Sequence, residues 1–195
     1  VKLVKCDMAE GGEIEAAFRE ADALRRPLAA LVNNAGMVAP QSRVEDMGAA
    51  RLRRVFDVNV IGAILAAGLA VKRMSTAHGG AGGVIVNVSS AAARLGSPGE
   101  FVDYAASKGA MDAFTTGLAK EVAAEGIRVN AVRPGIIETG IHAKAGMPSR
   151  AADLGPKVPM ARSGSAREVA EAIRWLMSAE ASYVTGTFID VAGGR

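Results

Sequence analysis

Residues 89–108 read SSAAARLGSPGEFVDYAASK, from Ser89 to Lys108, and the segments on either side of this stretch decide the fold. Before it lies GVIVNV, Gly83 to Val88, a short apolar run rich in β-branched residues that reads as a buried strand. After it the chain turns Ala-rich, DYAASKGAMDAFTTGLAKEVAAE, with Asp103 placed to cap the start of a helix. Strand, loop and helix in that order put the Ser89/Ser90 pair at the carboxyl end of a strand, where open α/β sheets keep their sites. Tyr104 and Lys108 stand four residues apart on the helix and therefore share a face. A free phenol titrates near pH ~10, and an adjacent ammonium favours the phenolate, so the pair suits a general acid/base. A lone Tyr-x-x-x-Lys also fits a core tyrosine beside a surface lysine, and the motif needs support from elsewhere in the chain.

Moving outward, strand and helix patterns alternate from end to end. VKLVKC (1–6) reads as a strand, GEIEAAFREADALRR (12–26) as a helix and LAALVNN (28–34) as a strand, which makes a βαβ unit. A long helical segment from Gly48 to Ser75 follows, then a glycine cluster at 79–83 that leads out of a helix into the strand GVIVNV. A phosphate-cradling fingerprint runs from strand into helix, so the cluster reads as a turn. Beyond the Tyr104 helix come the strand IRVNAV, an irregular stretch from Pro134 to Gly164, a helix AREVAEAIRWLMS capped by Ser165, and the strand TFIDV at Thr187 to Val191. The alternation predicts one α/β domain over residues 1–195, with a doubly wound, mostly parallel, Rossmann-like sheet.

Composition narrows the function. Half of the 195 residues are apolar and 22% charged, enough for one well-filled core. A net charge of +3 with scattered Lys and Arg and only 4% aromatics offers no platform for nucleic acid. No uninterrupted apolar run of about 18 residues and no signal-peptide pattern are present, which predicts a cytoplasmic protein without a membrane partner. Cys6 has no partner for an internal disulfide and reads as a structural thiol. His78 and His142 lie far apart without metal-ligand spacing, so no metal is expected.

Five motifs now stand in order: Asn33-Asn34-Ala35-Gly36 after a strand, Asn59 within a helix, the serine pair, Tyr-x-x-x-Lys, and Pro134-Gly135 after the next strand. Together they resemble the short-chain dehydrogenase/reductase family in its single-domain branch, and the likeness runs to YVTGTFIDVAGG at the carboxyl end. GEFVDYAASKGA is also similar to a bacterial branch that includes glucose-1-dehydrogenase-like proteins. The resemblance implies an oxidoreductase that moves a hydride between NAD or NADP and a small carbonyl or secondary alcohol. It implies Tyr104 as proton donor or acceptor and Lys108 as the group that lowers its pKa and meets the nicotinamide ribose. Ser90 would steady the substrate oxygen, and Asn59 would hold a water in the proton relay. For the cofactor it implies Asp7 and Met8 near the adenine, Asn33, Asn34, Ala35 and Gly36 along its length, and Pro134, Gly135, Ile137 and Thr139 on the nicotinamide side, with Tyr104 and Lys108. A homo-oligomer, dimer or tetramer, is expected of the full-length protein.

Two departures bear on these expectations. Ser90 precedes Tyr104 by fourteen residues, one more than the commonest family spacing, so GSPGEFVD must absorb a residue; Ser90 is favoured over Ser89. The family also opens with a strand, a TGxxxGIG-type turn, a helix and a second strand, and none of these is in the sequence. It reads from the third strand, as if about two β-α units of ~30 residues each preceded it. The 195 residues alone are therefore expected to have little activity. The rival expectation is a catalytically inactive remnant serving as an assembly module, with Gly62, Ala63, Ala66 and Ala67 as a small-residue packing face.

Overall fold

The structure is a computed structural model that describes residues 1–195. In chain order the elements are α1 (Gly11–Asp22), β1 (Ala30–Asn33), α2 (Ala49–Phe56), a π-helical turn (Asp57–Ile61), α3 (Gly62–Met74), β2 (Gly83–Val88), α4 (Ala92–Leu95), α5 (Val102–Val122) and β3 (Ile127–Pro134). They continue with β4 (Ile137–Glu138), α6 (Ile141–Lys144), α7 (Arg150–Leu154), β5 (Gly164–Ser165), α8 (Ala166–Met177) and β6 (Phe188–Val191). The main sheet has four parallel strands in the order β1-β2-β3-β6, and β4 pairs with β5 beside it.

Alternation along β2 assigns its two faces. Ile85 joins Val129 of β3 in a core closed by Ile14 and Phe18 of α1, Ala66, Ala67 and Met74 of α3, and Leu118 and Val122 of α5. Val84 and Val86 point the other way and meet Val169 and Leu176 of α8. Helices on both faces of a parallel sheet make the doubly wound α/β architecture that the strand/helix alternation predicts. Ser165 starts α8 with a capping box: its hydroxyl accepts from Glu168 N, and the Glu168 carboxylate accepts from Ser165 N.

Several expectations are corrected. VKLVKC forms no strand, because no backbone-to-backbone hydrogen bond involves residues 1–6; a strand exists only by pairing, and β1 pairs only with β2. Asp103 is not the cap of α5. Phe101 holds that position, while Asp103 lies buried in the first turn and binds Arg51 of α2 through both carboxylate oxygens. The face of Gly62, Ala63, Ala66 and Ala67 is buried within the fold and is not open to a partner. Ala49–Met74 is one continuous helix, long and apolar enough by length and composition to cross a membrane, but its alanine face packs on α1, β1 and α5.

Candidate active site

The carboxyl ends of β1, β2 and β3 open on the same side of the sheet, and the loops that leave them build one cleft of about 790 Å³. Asn34, Ala35 and Gly36 follow β1, Ser89 and Ser90 follow β2, and Gly135 to Thr139 follow β3. Tyr104 and Lys108 reach the cleft from α5, and α6, α7 and α8 wall its far side.

Ser90 and Ser89 take different directions. The Ser90 hydroxyl accepts from Ala92 N at 3.1 Å and lines the cleft with Tyr104, where it favours the phenolate. Ser89 is buried, and its hydroxyl donates to the Asp112 carboxylate at 2.6 Å. Between Ser90 and Tyr104 the chain turns where Gly96, Ser97 and Gly99 all adopt positive φ, at 76°, 46° and 72°. Two glycines in that turn meet this demand without a Cβ penalty.

Lys108 is almost fully buried and donates to the Val88 carbonyl at 2.7 Å. Burial lowers its pKa to about 8, against the opposing field of Asp112. Burial pushes Tyr104 above the usual phenol range, and the Ser90 hydroxyl opposes this. The Lys108 ammonium, held by Val88, lies 5.7 Å from the centre of the Tyr104 ring.

Asn59 sits in the π turn, a wide turn that is frequent at functional positions. Its Oδ1 accepts from Met37 N at 2.8 Å, and its Nδ2 donates to Met37 O at 2.9 Å and to Ser107 Oγ at 3.1 Å. The side chain is thus fully engaged in holding the loop after β1. A Cβ on Gly36 would lie 3.4 Å from Asn59 Oδ1 and 3.5 Å from Lys108 Nζ, so Gly36 presents bare backbone between them.

Of the residues implied for a cofactor, Asn34, Ala35, Gly36, Tyr104, Lys108, Pro134, Gly135, Ile137 and Thr139 line the cleft, and Asp7, Met8 and Asn33 do not. Asp7 binds Arg54 and accepts from Ala9 N, contacts that hold its carboxyl below the usual range. Met8 packs on the core. Asn33 is buried, donating to Ala63 O at 3.2 Å and to Asn87 Oδ1 at 2.9 Å. Sequence reasoning missed Glu100 and Arg150, whose two-pronged ion pair ties α7 to the loop before Tyr104. Fifty residues separate them, and nothing local marks the pairing. It also passed over Asp112, although four-residue spacing from Lys108 puts it on the same helix face.

No aspartate or glutamate lines the cleft, whereas Lys108, His142, Lys144, Arg150 and Arg195 do. A parallel sheet with an apolar, cationic cleft at its carboxyl edge, and a serine, a tyrosine and a lysine on its floor, defines a class of nucleotide-type α/β domain. The family model described as Enoyl-(Acyl carrier protein) reductase matches residues 1–195. The chain is 55% identical over 193 residues to an uncharacterized oxidoreductase, YgfF, of Escherichia coli, covering 99% of this chain and 78% of that protein. It is 40% identical over 167 residues to the glucose and ribitol dehydrogenase homolog of Oryza sativa, covering 84% of this chain and 55% of the rice protein. Among solved structures, a 3-ketoacyl-(acyl-carrier-protein) reductase from Brucella melitensis complexed with NADH superposes with a TM-score of 0.90 at 31% identity, over 98% of this chain and 77% of that one. The chain belongs to the short-chain dehydrogenase/reductase family, whose members are oxidoreductases acting on alcohol and carbonyl groups.

Proposed function

We propose that the protein moves a hydride between NAD or NADP and a small carbonyl or secondary alcohol, with Tyr104 as the acid/base. The observation that carries this reading is that Ser90, Tyr104 and Lys108 line one cleft, with Lys108 one turn beyond Tyr104 on the same helix. The cleft suits an anionic dinucleotide: it has no lining carboxylate, and Gly36 offers bare backbone beside Lys108. Asn34, Ala35 and Gly36 would run along such a cofactor, and Pro134, Gly135, Ile137 and Thr139 would meet its nicotinamide end. When bound, the nicotinamide supplies or accepts the hydride.

The chain's own residues would handle the proton and the developing charge. Ser90 donates toward the substrate oxygen and shares that oxygen with the Tyr104 hydroxyl, which gives up its proton as the carbonyl becomes an alcohol. Lys108, an ammonium at neutral pH with its pKa at about 8, holds positive charge beside the phenol and meets the ribose. Asn59 would act by fixing the loop at Met37, since its amide is taken up by Met37 and Ser107 and leaves no group free to hold a relay water. Leu95, Phe101, Ile141 and Ile173 would give the substrate an apolar wall. Further copies would pack on Ile61, Ile64 and Leu65, the exposed apolar side of the helix, since its small-residue side lies inside.

Tyr104→Phe tests the reading, because it removes the proton and keeps the ring. In the full-length protein, turnover of NADH or NADPH with a panel of ketones and aldehydes should fall by about 10² to 10⁴, while cofactor titration stays near wild type. Undiminished turnover in the variant would end the assignment of Tyr104.

A further inference from the structure

We propose that Asp112 is a positioning residue for this site: its carboxylate, clamped by Arg133, fixes Ser89 and the α5 face carrying Lys108, and thereby sets Ser90 against Tyr104. The inference rests on the reading of Ser90, Tyr104 and Lys108 given above.

Asp112 lies one helical turn beyond Lys108. Its Oδ1 accepts from Ser89 Oγ at 2.6 Å, and its Oδ2 accepts from Arg133 Nε at 2.9 Å and Nη2 at 2.7 Å. The Arg133 guanidinium is itself pinned, 4.0 Å over the ring of Phe188 on β6. Side-chain exposures of 16% and 15% make this pair largely desolvated, as Arg51–Asp103 is and unlike surface pairs such as Arg167–Glu171, so removing one partner leaves a charge uncompensated.

The backbone explains how the clamp reaches Ser90. Ser89 N donates to Val132 O and Ala91 N donates to Pro134 O, both at 2.9 Å, so residues 89–91 lie along the end of β3 and bracket Arg133. Successive side chains on such a segment point to opposite sides. Holding the Ser89 hydroxyl on Asp112 therefore turns Ser90 toward the phenol. The Ser89 hydroxyl also approaches Lys108 O at 3.3 Å, which ties the same segment to the helix.

Asp112 is also the carboxylate whose field supports the Lys108 ammonium. The other groups facing Lys108 are Tyr104 from α5 and the neutral Asn59 from the π turn, with Arg133 on β3 behind Asp112. His142, Lys144 and Arg150 line the same cleft from α6 and α7. Without the carboxylate, the charges left around the ammonium are positive, so its deprotonation moves to lower pH.

The test compares Asp112→Asn, Asp112→Glu and Ser89→Ala with wild type, reading Lys108 by NMR titration of lysine-labelled protein and turnover by its pH profile. In Asp112→Asn the Lys108 midpoint should fall from about 8 by roughly half a pH unit or more. The alkaline limb of kcat/KM should move down with it, and Asp112→Glu should restore part of both. Ser89→Ala should keep the midpoint and lower kcat roughly tenfold with little change in KM. A purely structural Asp112 would lower the melting temperature and move neither midpoint nor limb, which would overturn the inference. If Asp112→Asn does not fold, wild-type kcat in folded Ser89→Ala overturns it instead. Loss of turnover in Tyr104→Phe beside an unshifted Asp112→Asn removes this inference alone, whereas turnover retained in Tyr104→Phe removes the reading beneath it.

Discussion

Gly62 lies so close to Met8 that a Cβ on it would fall 2.0 Å from the Met8 carbonyl oxygen and 2.9 Å from the carbonyl carbon. The obstacle is backbone, which cannot rotate aside, so the segment after residue 6 is seated on the helix only because residue 62 has no side chain. Gly62→Ala should cost about 2 kcal/mol or more in urea unfolding. It should also speed proteolysis around residues 7–10. A wild-type midpoint would show that Met8 does not rest there.

Lys108 makes stability depend on pH in a stated direction. Its folded pKa of about 8 is depressed below the ordinary lysine value, so between these two pH values the unfolded chain binds more protons and stability rises with pH. Relative to Lys108→Met, the wild type should gain about 2 kcal/mol between pH 7 and pH 10. Paired urea melts at the two pH values measure this difference while cancelling the other titrating groups. A pH-independent difference would mean that Lys108 is solvated.

Ser90 should be visible through the phenol it touches. Because its hydroxyl favours the phenolate, Ser90→Ala should raise the pH at which Tyr104 ionises, followed by absorbance near 295 nm alongside the exposed Tyr183. Loss of a donor to the reacting oxygen should also cost about 10² in kcat. An unchanged phenol titration would place Ser90 away from Tyr104.

The Glu100–Arg150 pair joins the loop before Tyr104 to α7, and Arg150 also stacks 5.2 Å from the centre of the Phe101 ring. Arg150→Ala should free the 141–154 segment. The expected signs are faster proteolysis within it and a rise in KM of about three- to tenfold, with a smaller change in kcat. Equal cleavage rates would show that the segment is held by other contacts.

How much of this was legible in the sequence depended on the range of the forces involved. The strand/helix alternation from β1 onward, the Ser165 cap and the Tyr104/Lys108 face follow from local sequence patterns, and they are found where expected. VKLVKC failed because strand propensity is realised only against a neighbour. Asp103 carried a cap's chemistry, but a buried ion pair with Arg51 took the side chain, a competition decided 52 residues away. The choice of Ser90 over Ser89 could be stated from the sequence only as a preference. What the sequence could not show is that Ser89 is engaged by Asp112, itself clamped by Arg133, because those partners come from α5 and β3.

The turn at Asp57–Ile61 holds one residue more than an α-helix would place there, and an added residue advances the helix by about 100°. The two halves of Ala49–Met74 are therefore out of phase: the first faces α5, where Arg51 meets Asp103, and the second faces α1 and β1. Length, and not only residue identity, is thus under constraint in this helix. Deleting one residue between 57 and 61 would restore a regular helix and swing one half off its neighbours, a lesion that no compensating substitution further along the chain would mend.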